Sequence, residues 1–82
     1  MTDLQPDEAK SLAEYIASRY VVAYEELRGK PYPCTQDGAD ACAFAVTQRF
    51  AQLAIAYHVD VLLDHSDRRF TVVCAKQEDK NP

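Results

Sequence analysis

The chain has no tryptophan, a single methionine and only two glycines among its 82 residues. So little glycine leaves scant material for a phosphate cradle or an oxyanion hole, both of which need close approach of backbone N–H groups. Cations are also few: nine Lys and Arg stand against thirteen Asp and Glu, a formal net charge of −4. Only Arg68 and Arg69 adjoin. A protein that grips nucleic acid through its phosphates needs clustered cations, because released counterions supply most of the affinity. Direct nucleic-acid binding is therefore not expected. The longest strictly apolar run goes only from Ala41 to Val46, against roughly 20 residues needed to cross a bilayer. No membrane role is expected. The opening, Met1-Thr2-Asp3-Leu4-Gln5-Pro6-Asp7-Glu8, is acidic where an export signal is basic and then apolar. That points to a cytoplasmic location. Three cysteines, Cys34, Cys42 and Cys74, cannot all pair within one chain, which fits reduced thiols in such a compartment.

Periodicity supplies what composition lacks. From Pro6 to Arg28, the residues Ala9, Leu12, Ala13, Ile16, Tyr20, Ala23, Tyr24 and Leu27 keep the spacing of one helical stripe. Pro6 suits the first helical position, and Asp7 and Glu8 meet the positive end of the helix dipole. Gly29 can take a left-handed cap, and Pro31 and Pro33 forbid continuation. The spacing predicts a helix over about 6–28. Residues 30–38 read as a stiff connector, since proline restricts the residue before it to extended geometry. A second helix is predicted over about 38–57, capped by Thr35 or Asp37. Its stripe is Cys42, Val46, Phe50, Leu53 and Tyr57, set among many alanines. Phe44 and Ile55 fall off that stripe, which implies burial on more than one side.

From His58 the period becomes two. Val59, Val61 and Leu63 alternate with Asp60, Leu62 and Asp64; beyond the turn Phe70, Val72 and Cys74 alternate with Thr71, Val73 and Ala75. This predicts strands over about 58–64 and 68–76, with Leu63 opposite Arg68, Val61 opposite Phe70 and Val59 opposite Val72. Residues 77–82 read as a solvated tail. The fold class is α+β: two amphipathic helices followed by a C-terminal antiparallel β-hairpin (ααββ), one domain over 1–82. Two strands alone are marginal in water, and a core of this size nets only about 3 to 5 kcal/mol. Neither strand carries a proline to guard its edge. A homodimer is therefore expected, either extending the sheet or packing the helices. A third short strand from residues 32–35 is the alternative.

Chemistry-bearing constellations are sparse. Cys34 and Cys42, or His58 and His65, lack the short spacing of a metal site, so no metal or cofactor is expected. Cys42 and Cys74 fit apolar stripes, as core thiols do. Cys34 precedes a helix N-terminus, a position that lowers a thiol's pKa, and stands as the candidate reactive thiol. With His58 or His65 as base it would make a small thiol-dependent enzyme or sensor. Glu25-Glu26 and Asp60 with Asp64 lack the apolar surroundings of acid catalysts. No catalytic residue is assigned. Gln48 and Arg49 alone offer base-reading chemistry on the second helix. Tyrosine, in contrast, brings rigid area with a polar tip to interfaces, and carboxylates steer basic partners. Glu14, Tyr15, Glu25, Glu26 and Tyr32 form the candidate partner-binding set. The expectation is a small acidic, non-enzymatic protein-interaction or regulatory module whose partner protein is basic. Its size and charge are also those of small acidic phage inhibitors of host nucleic-acid-binding defence complexes. That reading is an alternative, as is the sensor at Cys34.

Overall fold

The computed structural model describes residues 4–67 and 69–77. Two helices, α1 (Pro6–Arg28) and α2 (Gln36–Gln52), precede two antiparallel strands, β1 (Tyr57–Asp64) and β2 (Arg69–Lys76). This is the α+β order that the periodicities predict. Arg68, and residues 78–82 of the expected tail, lie outside the described residues.

α1 begins at Pro6, and the Gln5 N–H donates to Glu8 Oε1 at 3.0 Å, satisfying a backbone donor that the helix itself leaves open. It ends where Gly29 turns left-handed, at φ +68°, and donates its N–H to the Glu25 carbonyl at 2.8 Å. The buried stripe is narrower than the periodic one: Ala9, Ala13 and Ala17 are buried, while Leu27 at the far end is 82% exposed. Three alanines one turn apart let α1 lie close to β2, and the Cys74 thiol sits 3.7 Å from the Ala9 carbonyl.

α2 departs from expectation at both ends. Thr35 caps it, its Oγ1 accepting from the Gly38 N–H at 3.2 Å, so the first turn starts at Gln36. Its last residue is Gln52, and Tyr57 opens β1 instead of closing the helix. The stop is a Schellman turn: the Ile55 N–H donates to the Phe50 carbonyl at 2.9 Å and the Ala54 N–H to Ala51 at 3.1 Å. Ala54 occupies the left-handed position with φ +60°, which usually goes to glycine. Left-handed geometry costs an L-residue about 1 to 2 kcal/mol, partly offset by the entropy that glycine would add to the unfolded chain. Ala54→Gly is accordingly expected to stabilise the fold by about 0.5 to 1 kcal/mol, read as a rise in the urea midpoint at unchanged slope. The expectation of burial on several sides is also overturned. Gly38, Ala39, Cys42, Val46 and Phe50 are buried, whereas Phe44 is 64% and Leu53 43% exposed. α2 turns a single face inward, because a layer with one sheet and one neighbouring helix offers nothing to cover the other.

The hairpin pairs Val59 with Cys74, Val61 with Val72, Leu63 with Phe70 and Asp64 with Arg69. Relative to the predicted register, β2 is shifted by two residues, which leaves every side chain on its predicted face. The turn between Asp64 and Arg69 is organised by Asp64, whose Oδ1 accepts from the Ser66 hydroxyl at 2.7 Å and from the Ser66 and Asp67 N–H groups at 3.0 and 3.4 Å. These bonds, the Ser66 hydroxyl first, hold its carboxyl below the usual carboxylate range. Tyr57, Val59, Val61 and Val72 face inward and are buried, and the other face is open. Leu62, on that open face, is 55% exposed.

Both helices cover the inner face, α1 over β2 and α2 over β1, and pack against each other. The Phe50 and Tyr57 rings meet edge to face at 6.2 Å, and the Tyr57 hydroxyl donates to the Leu4 carbonyl at 2.8 Å, tying the start of the chain to the sheet. Among the described residues the sheet has two strands, and residues 32–35 form no third.

Candidate functional site

The connector between the helices is built around Tyr32. Prolines on both sides hold it extended, and it packs inward beneath the end of α1. Its ring meets Tyr24, Phe70 and Tyr20 edge to face at 4.8, 5.5 and 5.8 Å. The Tyr32 hydroxyl donates to the Gly38 carbonyl at 2.8 Å, and its N–H donates to Glu25 Oε2 at 2.9 Å. Burial, and then the neighbouring Tyr20 phenol, push its ionisation well above that of a free tyrosine. Two of the five residues chosen from sequence as a partner-binding set are thus occupied with folding: Tyr32 is buried, and the Glu25 carboxylate is committed to the connector.

The remaining three do not share a surface. Glu14 borders a groove between α1 and β2, whereas Tyr15, 64% exposed, borders a smaller groove between α1 and α2. Adjacent residues on a helix point about 100° apart, so Glu14 and Tyr15 belong to opposite flanks of α1. Glu26 is exposed and lines neither groove. The smaller groove, of about 340 Å³, carries Arg19 and Arg49 beside Tyr15.

The larger groove, of about 430 Å³, lies between α1 and β2, with buried Cys42 of α2 also in its lining. Glu14, Val21 and Val22 of α1 form one wall, and Arg69, Phe70 and Val72 of β2 form the other. Its lining is apolar apart from Glu14, Ser18 and Arg69. Sequence reasoning missed Val21 and Val22 because they fall off the buried stripe of α1. Their signal is that a pair of β-branched residues sits on a helix flank where a solvated helix would place charge.

The thiols and imidazoles are dispersed. Cys42 is buried and burial raises its pKa; for Cys74 burial and then the Glu14 charge do the same. Cys34 is half-buried in the connector just before the Thr35 cap. His58 lies on the open face of β1, 3.1 Å from Asp60, on the side of the sheet away from the helices, and His65 is in the hairpin turn. Among the described residues neither imidazole is hydrogen-bonded to Cys34. Among the described residues no three His, Cys, Asp or Glu side chains gather into a metal-binding group, and no helix is long and apolar enough to cross a membrane. Compared with protein families, with curated proteins and with solved structures, the chain matches none of them.

Proposed function

We propose that the protein is a small, acidic, non-enzymatic binding module that takes up a partner protein in the groove between α1 and β2. The observation that carries this reading is the exposure of apolar side chains in a concave surface: Val22 is 36% exposed there, above Phe70 and Val72. Concave apolar surface with a few polar groups at its margin is the usual form of a recognition site. Glu14 and Arg69 are the charged groups of this one and would orient the partner.

The test is capture from a lysate of the source cells on immobilised wild-type protein, on Val22→Asp and on Leu27→Asp. Leu27 is 82% exposed and outside the groove, so its variant controls for added charge. A partner held by wild type and Leu27→Asp should be reduced about tenfold on Val22→Asp, because an unpaired charge in an apolar interface costs at least one decade of affinity. Equal retention on all three proteins, or none on any, overturns the reading.

A further inference from the structure

We infer that the seam between α1 and α2, on the other flank of α1, is a second binding site, and that it takes a small aromatic anion: one flat ring bearing a carboxylate or phosphate group. The inference does not depend on the groove between α1 and β2. Both charged groups of the seam, Arg19 and Arg49, are cations, and no carboxylate lines it, although the chain carries thirteen acids against nine bases. Among the described residues the one ion pair is that of His58 with Asp60, so neither guanidinium has a carboxylate partner. Arg49 Nη1 donates to the neutral amide oxygen of Gln52 at 3.1 Å, which steadies the side chain and leaves its charge uncompensated. Two like charges that share a groove repel, and an anion between them replaces that repulsion by attraction. A guanidinium suits this task, because its planar fork donates two parallel hydrogen bonds to a carboxylate or a phosphate.

The rest of the lining selects a ring. Tyr15, Ile16 and Tyr20 of α1 and Ala45 of α2 make up the uncharged surface. Aromatic rings favour edge-to-face or offset contact with one another, and a guanidinium stacks on a ring face. Tyr20 is half-buried and held by its edge-to-face contact with Tyr32 at 5.8 Å, so that side of the site is formed before a ligand arrives. Ala45 puts only a methyl group into the seam. Size then decides between a small molecule and a protein partner. The seam holds about 340 Å³, at the lower end of the roughly 300 to 1,000 Å³ of small-molecule pockets. From Tyr15 to Tyr20 it runs about 8 Å along α1, and Ala45 and Arg49 stand one turn apart, about 6 Å. That length accommodates one ring and one anionic group. A protein interface of standard size takes about 20 to 30 residues a side, and six line this seam.

Titration of the full chain with phenyl phosphate and with phenylacetate, followed through the backbone amide shifts by NMR, tests this. Both probes should shift the amides of residues 15–20 and 45–49 saturably. At least one should bind about tenfold or more tighter than inorganic phosphate or acetate, which lack the ring, and than benzyl alcohol, which lacks the charge. Arg19→Gln and Arg49→Gln should each weaken the tighter probe about tenfold, and Tyr15→Ala several-fold. All three side chains are exposed, so the variants keep the fold, and their ligand-free spectra check that. Arg69→Gln, in the groove between α1 and β2, should leave the affinity unchanged. Shifts centred on other residues, equal affinity for inorganic phosphate or benzyl alcohol, or indifference to both arginine substitutions would each overturn the inference. So would the absence of a saturable shift with either probe, even where a peptide with adjacent Phe and Glu shifts the same amides, since the seam would then read a protein segment. None of these outcomes bears on the Val22→Asp capture, which tests the other groove alone.

Discussion

Gly38→Ala is expected to bring this protein to the edge of unfolding at 25 °C. Gly38 lies in the first turn of α2, where alanine would ordinarily gain about 1 kcal/mol in helix propensity. The connector reverses that sign. A Cβ built on Gly38 collides with the Pro33 carbonyl oxygen and lies 3.3 Å from both the Pro33 carbonyl carbon and Tyr32 Cε2. The nearest obstacle is backbone, so no side-chain rotation relieves it. Moving the helix away lengthens the Thr35 cap bond to Gly38 and the Tyr32 hydroxyl bond to the Gly38 carbonyl, now 3.2 and 2.8 Å. Overpacking of this kind costs about 3 kcal/mol or more, which outweighs the propensity gain and removes most of the 3 to 5 kcal/mol or so that a domain of this size holds. Gly29→Ala is the control. Nothing lies within 4 Å of a Cβ there, so only the strain of φ +68° remains, about 1 kcal/mol. Urea unfolding followed by far-UV circular dichroism should rank wild type above Gly29→Ala and both well above Gly38→Ala. A Gly38→Ala protein as stable as wild type would mean that the connector does not dock on α2.

Neither reason for a glycine, a left-handed cap or a crowded backbone, is equally visible in a sequence. Gly29 announces itself because it follows a periodic stripe and precedes prolines. Gly38 sits in a cap region where many residues are tolerated, and its necessity comes from a carbonyl brought close by tertiary packing. The end of α2 is hidden for a related reason. Leu53, Ala54, Ile55, Ala56 and Tyr57 all suit a helix, and Ala54 carries no glycine signal for the left-handed turn that it makes. What stops the helix is the return of Ile55 to Phe50 and the burial of Tyr57 in β1, contacts that local propensity does not register. Hairpin register escapes for a geometric reason: a slip of two residues preserves both faces, so alternation fixes which side each residue takes and leaves its partner open. The turn bonds of Asp64 decide between the two. The groove was the least legible feature, since its walls come from opposite ends of the chain and only tertiary packing joins them.

Tyr32 is where sequence and structure part most sharply, and its removal should have an effect of comparable size. A tyrosine between two prolines reads as an exposed interface residue, and truncating such a residue changes stability by less than about 0.5 kcal/mol. Tyr32 instead fills the space among Tyr20, Tyr24 and Phe70, so Tyr32→Ala is expected to cost about 3 to 5 kcal/mol through the cavity left behind. Tyr32→Phe keeps the ring and loses only the bond to the Gly38 carbonyl, about 1 kcal/mol. The ratio of the two losses separates packing from hydrogen bonding, and urea midpoints at unchanged slope measure it. pH supplies an independent readout. The folded-state ionisation of Tyr32 is raised by burial, so the neutral phenol is the form that the fold favours. Its contribution is fully present below the unfolded tyrosine value of about 10 and is lost as pH climbs from there toward the folded value. Wild type should lose more stability than Tyr32→Phe above about pH 10, the difference being the share of this one phenol. Because the Tyr32 ring touches Phe70, and Phe70 forms a wall of the groove, the Phe variant should retain partner binding. Folded Tyr32→Ala, rescued at low temperature, should lose it. Equal stability of wild type and Tyr32→Ala would return Tyr32 to the surface and take the support from beneath Phe70.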